Sequence, residues 1–190
     1  MSLFYLFMFI GLDLSLDSSG IVIIDNDYKI IYKEALHVKQ IDVERLYFLE
    51  ENFKKVLDNN SEIVLSCIES PAYRETGKIF QIGEWTGIVK LNLFKEGLPF
   101  LLAAPLQLKK YVSGEGKSKG KETVLLDIYK NFGEEIRQDD IGDAYVLARI
   151  AHDYHFKYIA DGKVELKKYQ EEVLGVIYKS YGKIKRGHLL

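Results

Sequence analysis

Two apolar stretches in this chain each stop at an acidic residue. Residues 4–12 run into Asp13, and Ile63 to Ile68 run into Glu69. A continuous apolar run of that length reads as a strand covered on both faces. A charge left unpaired at the end of such a strand is costly. If the two strands are neighbours, both carboxylates emerge at one edge of one sheet, and that edge needs a chemical reason to exist. The first stretch is too short to cross a bilayer before Asp13 interrupts it. It also lacks the basic start and small-residue cleavage site of a signal peptide.

The remaining pattern surrounds these strands with an α/β domain. Gly20 to Asp25 and Tyr28 to Leu36 read as a strand pair joined by a hairpin turn at Asn26-Asp27. Asp42 to Asn59 has helical spacing, with Asp42 placed to cap it. Phe80 to Glu96 reads as a helix although Gly83 and Gly87 interrupt it. That glycine spacing permits close approach of another helix, which makes this element a candidate packing or dimer surface. Pro99 to Ala104 reads as a fifth strand. Helices are expected from Pro105 to Tyr111, from Glu122 to Phe132, from Asp139 or Asp140 to His155, and from Val164 to Tyr181. The order predicts a mixed five-stranded sheet with helices on both faces. Residues 1–160 are expected to form one domain, and 161–190 a helical, basic extension. With 190 residues, one domain with a tail is the natural division.

A further acidic pair sits at a helix start. Asp140 and Asp143 are three residues apart and share a face, near the positive end of the helix dipole. Taken singly, Asp13 fits a turn, Asp140 a helix cap and Asp143 a solvated surface. Taken together, four converging carboxylates would repel and raise their own pKa values. Divalent cations resolve that conflict, since Mg²⁺ takes oxygen ligands and a pair of such ions can hold a phosphodiester.

Charge distribution points the same way. The net charge is −2, but residues 107–123 carry +3 and residues 161–190 carry +3, leaving about −8 elsewhere. Basic stretches beside an acidic body suit local polyanion binding with cations held elsewhere. Cys67 is the single cysteine, so neither an intrachain disulfide nor a multi-cysteine zinc site is available. It reads as a buried small hydrophobe. His152 and His155 share a helix face, where packing or solvent exposure is a better expectation than a metal pair.

The motifs resemble those of the RuvC-type Holliday-junction resolvases, in the ribonuclease-H-like superfamily, from about Phe4 to His155. The segment GLDLSLDSSG is similar to that family's G-I-D-P-G-x-x-x-x-G opening, with Asp13 at the first catalytic acid. IESPAY is similar to its strand-ending glutamate and loop, with Glu69 at the catalytic position. DIGDAYVLARIAH resembles its D-x-x-D-A helix and places Asp140 and Asp143. LKKYVSGEGKSKGKETV resembles its lysine-bearing segment, with Lys109 and Lys121 at the two functional positions. There are departures. Leu14 and Ser15 replace Pro-Gly, and the SGEGKSKGK loop is one residue longer, so Lys119 competes with Lys121. The changed opening and long tail look like those of divergent, phage-encoded members.

The resemblance implies a homodimeric, cytoplasmic endonuclease that nicks opposed strands of branched DNA such as four-way junctions. It implies two Mg²⁺ ions per active site, replaceable by Mn²⁺, held by Asp13, Glu69, Asp140 and Asp143. Lys121 would act at the scissile phosphate or the attacking water, and Lys109 would hold a neighbouring phosphate. Lys110, Lys117 and Lys119 would add DNA contacts. Tyr73, with Arg74 beside it, would stack on a junction base. Two other readings compete. One is an actin- or sugar-kinase-like nucleotide-binding protein, whose phosphate loop has glycine where this chain has Ser15. The other is a branch-binding protein that does not cleave.

Overall fold

Side-chain alternation along the strands decides what each face of the sheet meets. The computed structural model describes residues 6–71, 79–115, 121–160 and 162–181. Its strands are β1 (Met8–Asp13), β2 (Ser18–Ile24), β3 (Ile30–His37), β4 (Ile63–Glu69) and β5 (Phe100–Ala103). They form one sheet in the order β3-β2-β1-β4-β5. β1 runs antiparallel to β2, and β2 to β3, whereas β1–β4 and β4–β5 are parallel. The expected mixed five-stranded sheet with helices on both faces is therefore present.

The helices are α1 (Asp42–Asp58), α2 (Ile79–Lys95), α3 (Pro105–Ser113), α4 (Lys121–Phe132), α5 (Asp139–Tyr158) and α6 (Lys168–Tyr181). Met8, Ile10, Leu12, Ile21, Ile23 and Ile68 point toward α1 and α2 and pack with Leu49, Phe53, Trp85 and Val89. Phe9, Val22, Leu65 and Cys67 point the other way, into a core built on α5. Gly11 and Asp13 share parity with Phe9, and Glu69 shares parity with Cys67. Both acids are thereby directed to the α5 side.

That side is unusually close. A Cβ built on Gly11 would stand 1.9 Å from the Ala144 carbonyl oxygen and 2.3 Å from the Ala148 nitrogen. One on Gly20 would stand 2.0 Å from the Asp140 carbonyl oxygen. The helix presents Ala144, Ala148 and Ala151, all fully buried, to the sheet. Small residues on both partners let the α5 backbone lie directly on β1 and β2.

Local differences from the sequence expectations have physical causes. The β2–β3 turn is longer than Asn26-Asp27. The Asp25 carboxylate accepts the Asp27 and Lys29 amides at 2.9 and 3.0 Å, and Tyr28 takes a left-handed φ of 63°. Asp42 does not cap α1. The N-cap is Ile41, without a side-chain cap, and Asp42 has φ 52°. α6 starts at Lys168 rather than Val164, after an irregular stretch in which Gln170 Oε1 accepts the Lys167 amide at 2.9 Å. Gly83 and Gly87 have nothing within 4 Å of a built Cβ, so the close approach their spacing allows is not used within this chain's described residues.

The contact of α5 with the sheet leaves no room for a methyl group. Gly11→Ala and Gly20→Ala are each expected to lower stability by about 3 kcal/mol, read as a shift in the urea midpoint. A midpoint unchanged in both would mean that α5 does not lie on the sheet as described.

Candidate active site

Asp13 ends β1 and is 8% exposed. Parallel pairing sets Leu12 beside Ile68, so the next residues of the two strands, Asp13 and Glu69, emerge side by side. Their carboxyl groups lie within hydrogen-bonding reach of one another. The other flank of Asp13 pairs with Gly20, over which α5 begins. The N-cap of α5 is Gln138, with no side-chain cap, so Asp139 and Asp140 lie in its first turn.

One turn on, Asp143 faces the two strand-end acids. Burial raises its pKa to about 7, and Asp13, then Asp139 and Asp140, push it upward while Lys109 opposes them. Glu69 is also raised to about 7, chiefly by burial. Its hydrogen bond from Asp13 and the charge of Lys109 pull it down, and Asp143 pushes it up. Lys109 reaches this group from α3, which follows β5 directly. The structure thus brings together Asp13, Glu69, Asp143 and Lys109, with Asp140 three residues before Asp143 in the first turn of α5. Asp139 is an acid of this group that the sequence reading used only as a helix boundary. The Asp139-Asp140 doublet was the signal for it.

Hard oxygen donors, partly desolvated and mutually repelling, fit a divalent cation better than any other small ligand. Among the described residues no three His, Cys, Asp or Glu side chains surround a point as a preformed cage.

Lys110 points to α6 and pairs with Glu172 at 2.7 Å. Lys121 opens α4. Lys117, Lys119, Tyr73 and Arg74 lie outside the described residues. His152 and His155 are buried in packing. His152 stacks near Phe9 and Phe156 at 4.9 and 4.7 Å, and His155 lies 5.4 Å from Phe9.

A sheet in which β3, β2 and β1 form an antiparallel run and β4 and β5 join it in parallel, with acids at the ends of β1 and β4 and on an overlying helix, is the ribonuclease-H-like fold. Within it, the family model of the crossover junction endodeoxyribonuclease RuvC matches residues 9–152. That is most of the chain, and the chain belongs to this family. A crossover junction endodeoxyribonuclease RuvC from Pseudothermotoga lettingae is 29% identical over 105 residues, covering 55% of this chain and 65% of the relative. The chain therefore spans just under two thirds of that relative's length. The Petrotoga mobilis protein of the same name is 25% identical, over 64% of this chain and 74% of its own. The fold is similar to that of Thermus thermophilus RuvC, with a TM-score of 0.63 and 18% identity over 93% of this chain and 97% of that one. The same TM-score holds against T. thermophilus RuvC in complex with a Holliday junction substrate, at 21% identity over 75% and 90% of the two chains.

The raised acids make a pH-dependent stability. A carboxyl whose pKa is raised on folding costs nothing below its unfolded value and weighs against the fold once ionised. For Asp143 the metal-free protein should therefore lose stability as pH rises from about 4 through about 7. Asp143→Asn is expected to stabilise the EDTA-treated protein by roughly 2–4 kcal/mol at pH 8 and by almost nothing at pH 4. Urea titrations at the two pH values check this, and an equal effect at both would show that Asp143 is not held raised.

Proposed function

We propose that this protein is a structure-specific endonuclease that nicks branched DNA, four-way junctions first among them, by metal-assisted phosphodiester hydrolysis. The observation that carries the reading is the meeting of Asp13, Glu69 and Asp143 with Lys109 at one edge of a RuvC-family fold. Asp13, Glu69, Asp140 and Asp143 are the residues that would hold Mg²⁺, or Mn²⁺, with the donor number suited to two ions. When bound, such ions stabilise negative charge on the phosphate and acidify a coordinated water.

The protein's own groups have separate tasks. Lys109 lies beside the acids and holds a phosphate next to the scissile one. Lys121, at the start of α4, serves the scissile phosphate or the attacking water, with Lys119 as its rival for that position. Lys117 extends the basic segment, and Lys110 adds a DNA contact once it leaves Glu172. Tyr73 stacks on a base at the junction, with Arg74 beside it. Residues 1–160 form the nuclease domain and 161–190 an extension whose helix α6 packs on it. The protein acts on DNA in the cytoplasm. Among the described residues no helix is long and apolar enough to cross a membrane.

Opposed nicks need two active sites, so we infer a homodimer that pairs along α2. Phe80, Leu91 and Phe94 are 81%, 51% and 59% exposed there, with Gly83 and Gly87 open between them. Large residues flanking two glycines on one helix form a self-complementary surface for a two-fold axis. Gly87→Arg should convert the dimer to a monomer in sedimentation velocity. A sedimentation coefficient like that of the wild type would place the interface on another surface.

The cleavage test uses a labelled four-way junction with Mg²⁺ or EDTA. Metal-dependent nicks are expected, and Asp143→Asn should slow them at least about a hundredfold. Junction binding without any metal-dependent nick would support the non-cleaving alternative. The nucleotide-binding alternative is not favoured, since Ser15 occupies the position of the phosphate-loop glycine and the family match covers the site acids.

A further inference from the structure

Helix α3 is fastened at points that have no part in the acidic cluster. Tyr111 is fully buried, and its hydroxyl donates to Oδ2 of Asp153, which is 1% exposed. Oδ1 of Asp153 accepts from Tyr28 Oη at 2.5 Å and lies 2.7 Å from His152 Nδ1. Burial, followed by the charge of Asp153, raises the pKa of both tyrosines, so both stay protonated and remain donors. The Arg149 guanidinium sits 3.9 Å from the centroids of both the Tyr28 and Phe132 rings, on the same side of α5. Every oxygen of Asp153 therefore meets a donor inside the protein, and the network has no opening for a ligand.

What the network does hold is the rotation of α3. Lys109 and Tyr111 are two residues apart, about 200° around the helix axis. With Tyr111 fixed inward, Lys109 must face outward toward Glu69 and Asp143. α6 secures the same helix from its other side. Glu172 pairs with Lys110 at 2.7 Å, and the Tyr169 ring lies against Gly114, the left-handed residue that ends α3. Asn131 donates to the Val112 carbonyl at 3.1 Å and itself accepts from Lys167 at 2.6 Å. The family match stops at residue 152, so Asp153 and all of α6 lie beyond it.

We propose that Asp153, through Tyr111, and α6, through Glu172 and Tyr169, are positioning residues that orient α3 and so aim Lys109 at the DNA backbone. This rests on the phosphate-binding reading of Lys109. The chain after residue 152 is then part of the DNA-binding device rather than a passive tail.

The test is a double-mutant cycle on four-way-junction binding in EDTA, with salt concentration varied. Lys109→Ala should weaken binding and reduce the slope of log affinity against log salt by about 1. Tyr111→Phe keeps the ring and removes the hydroxyl. It should weaken binding about threefold to tenfold with the same flattening of the slope, and should add nothing in the Lys109→Ala background. Its effect on thermal unfolding, by contrast, should be equal in both backgrounds, which separates positioning from general support. Should Tyr111→Phe melt too low for the assay, Tyr169→Leu, which removes the ring lying against Gly114, goes through the same cycle. Equal weakening of binding in both backgrounds, or none in either, overturns the positioning role alone. A silent Lys109→Ala overturns the phosphate contact and the proposal with it.

Discussion

Everything at the acidic edge depends on how close α5 lies to the sheet. With Gly11 and Gly20 under it, and Ala144, Ala148 and Ala151 facing them, the α5 backbone meets the strands at contact distance. Any side chain at either glycine would push the helix outward. Asp143 would then leave the neighbourhood of Asp13 and Glu69, whose position is set independently by the β1–β4 register. Two rigid elements thus deliver the acids from different directions, and the glycines set the gap between them.

That gap comes at a cost in stability. Carboxylates brought together out of water destabilise one another, and the raised pKa values of Glu69 and Asp143 express this directly. Among the described residues, Lys109 offsets it at both acids. A fold seeking stability alone would place apolar or paired residues here. The strain fits a site completed by cations.

Much of this was readable from the residues. Short apolar runs fixed β1 and β4, and period-two alternation from Phe9 and Cys67 directs Asp13 and Glu69 to one face. The acid pair three residues apart in α5 was equally plain. What could not be read is local backbone detail and whatever depends on long-range packing. The β2–β3 turn follows from the Asp25 carboxylate and the left-handed Tyr28, not from the Asn26-Asp27 pair. Asp42 looked like a cap because composition favours it, yet it occupies a left-handed position. Gly11 and Gly20 carry no sequence mark of the helix above them. Asp153 sits in a run of polar and aromatic residues that reads as an ordinary helix end, and its partners Tyr28 and Tyr111 are 125 and 42 residues away.

The two ends of α5 make the functional argument by contrast. Asp143 and Asp153 are ten residues, about 15 Å, apart on one helix, and both are withdrawn from water. Asp153 is surrounded by Tyr28, Tyr111 and His152, with each oxygen matched to a donor. Asp143 is surrounded by other acids and by Lys109. Burial alone therefore does not mark a reactive carboxylate, since both have it. The difference lies in the partners. Where neighbouring groups satisfy the charge, the acid holds structure together. Where neighbouring groups repeat the charge, positive charge has to come from elsewhere, and a fold that keeps such a cluster open to one sheet edge is built to receive it.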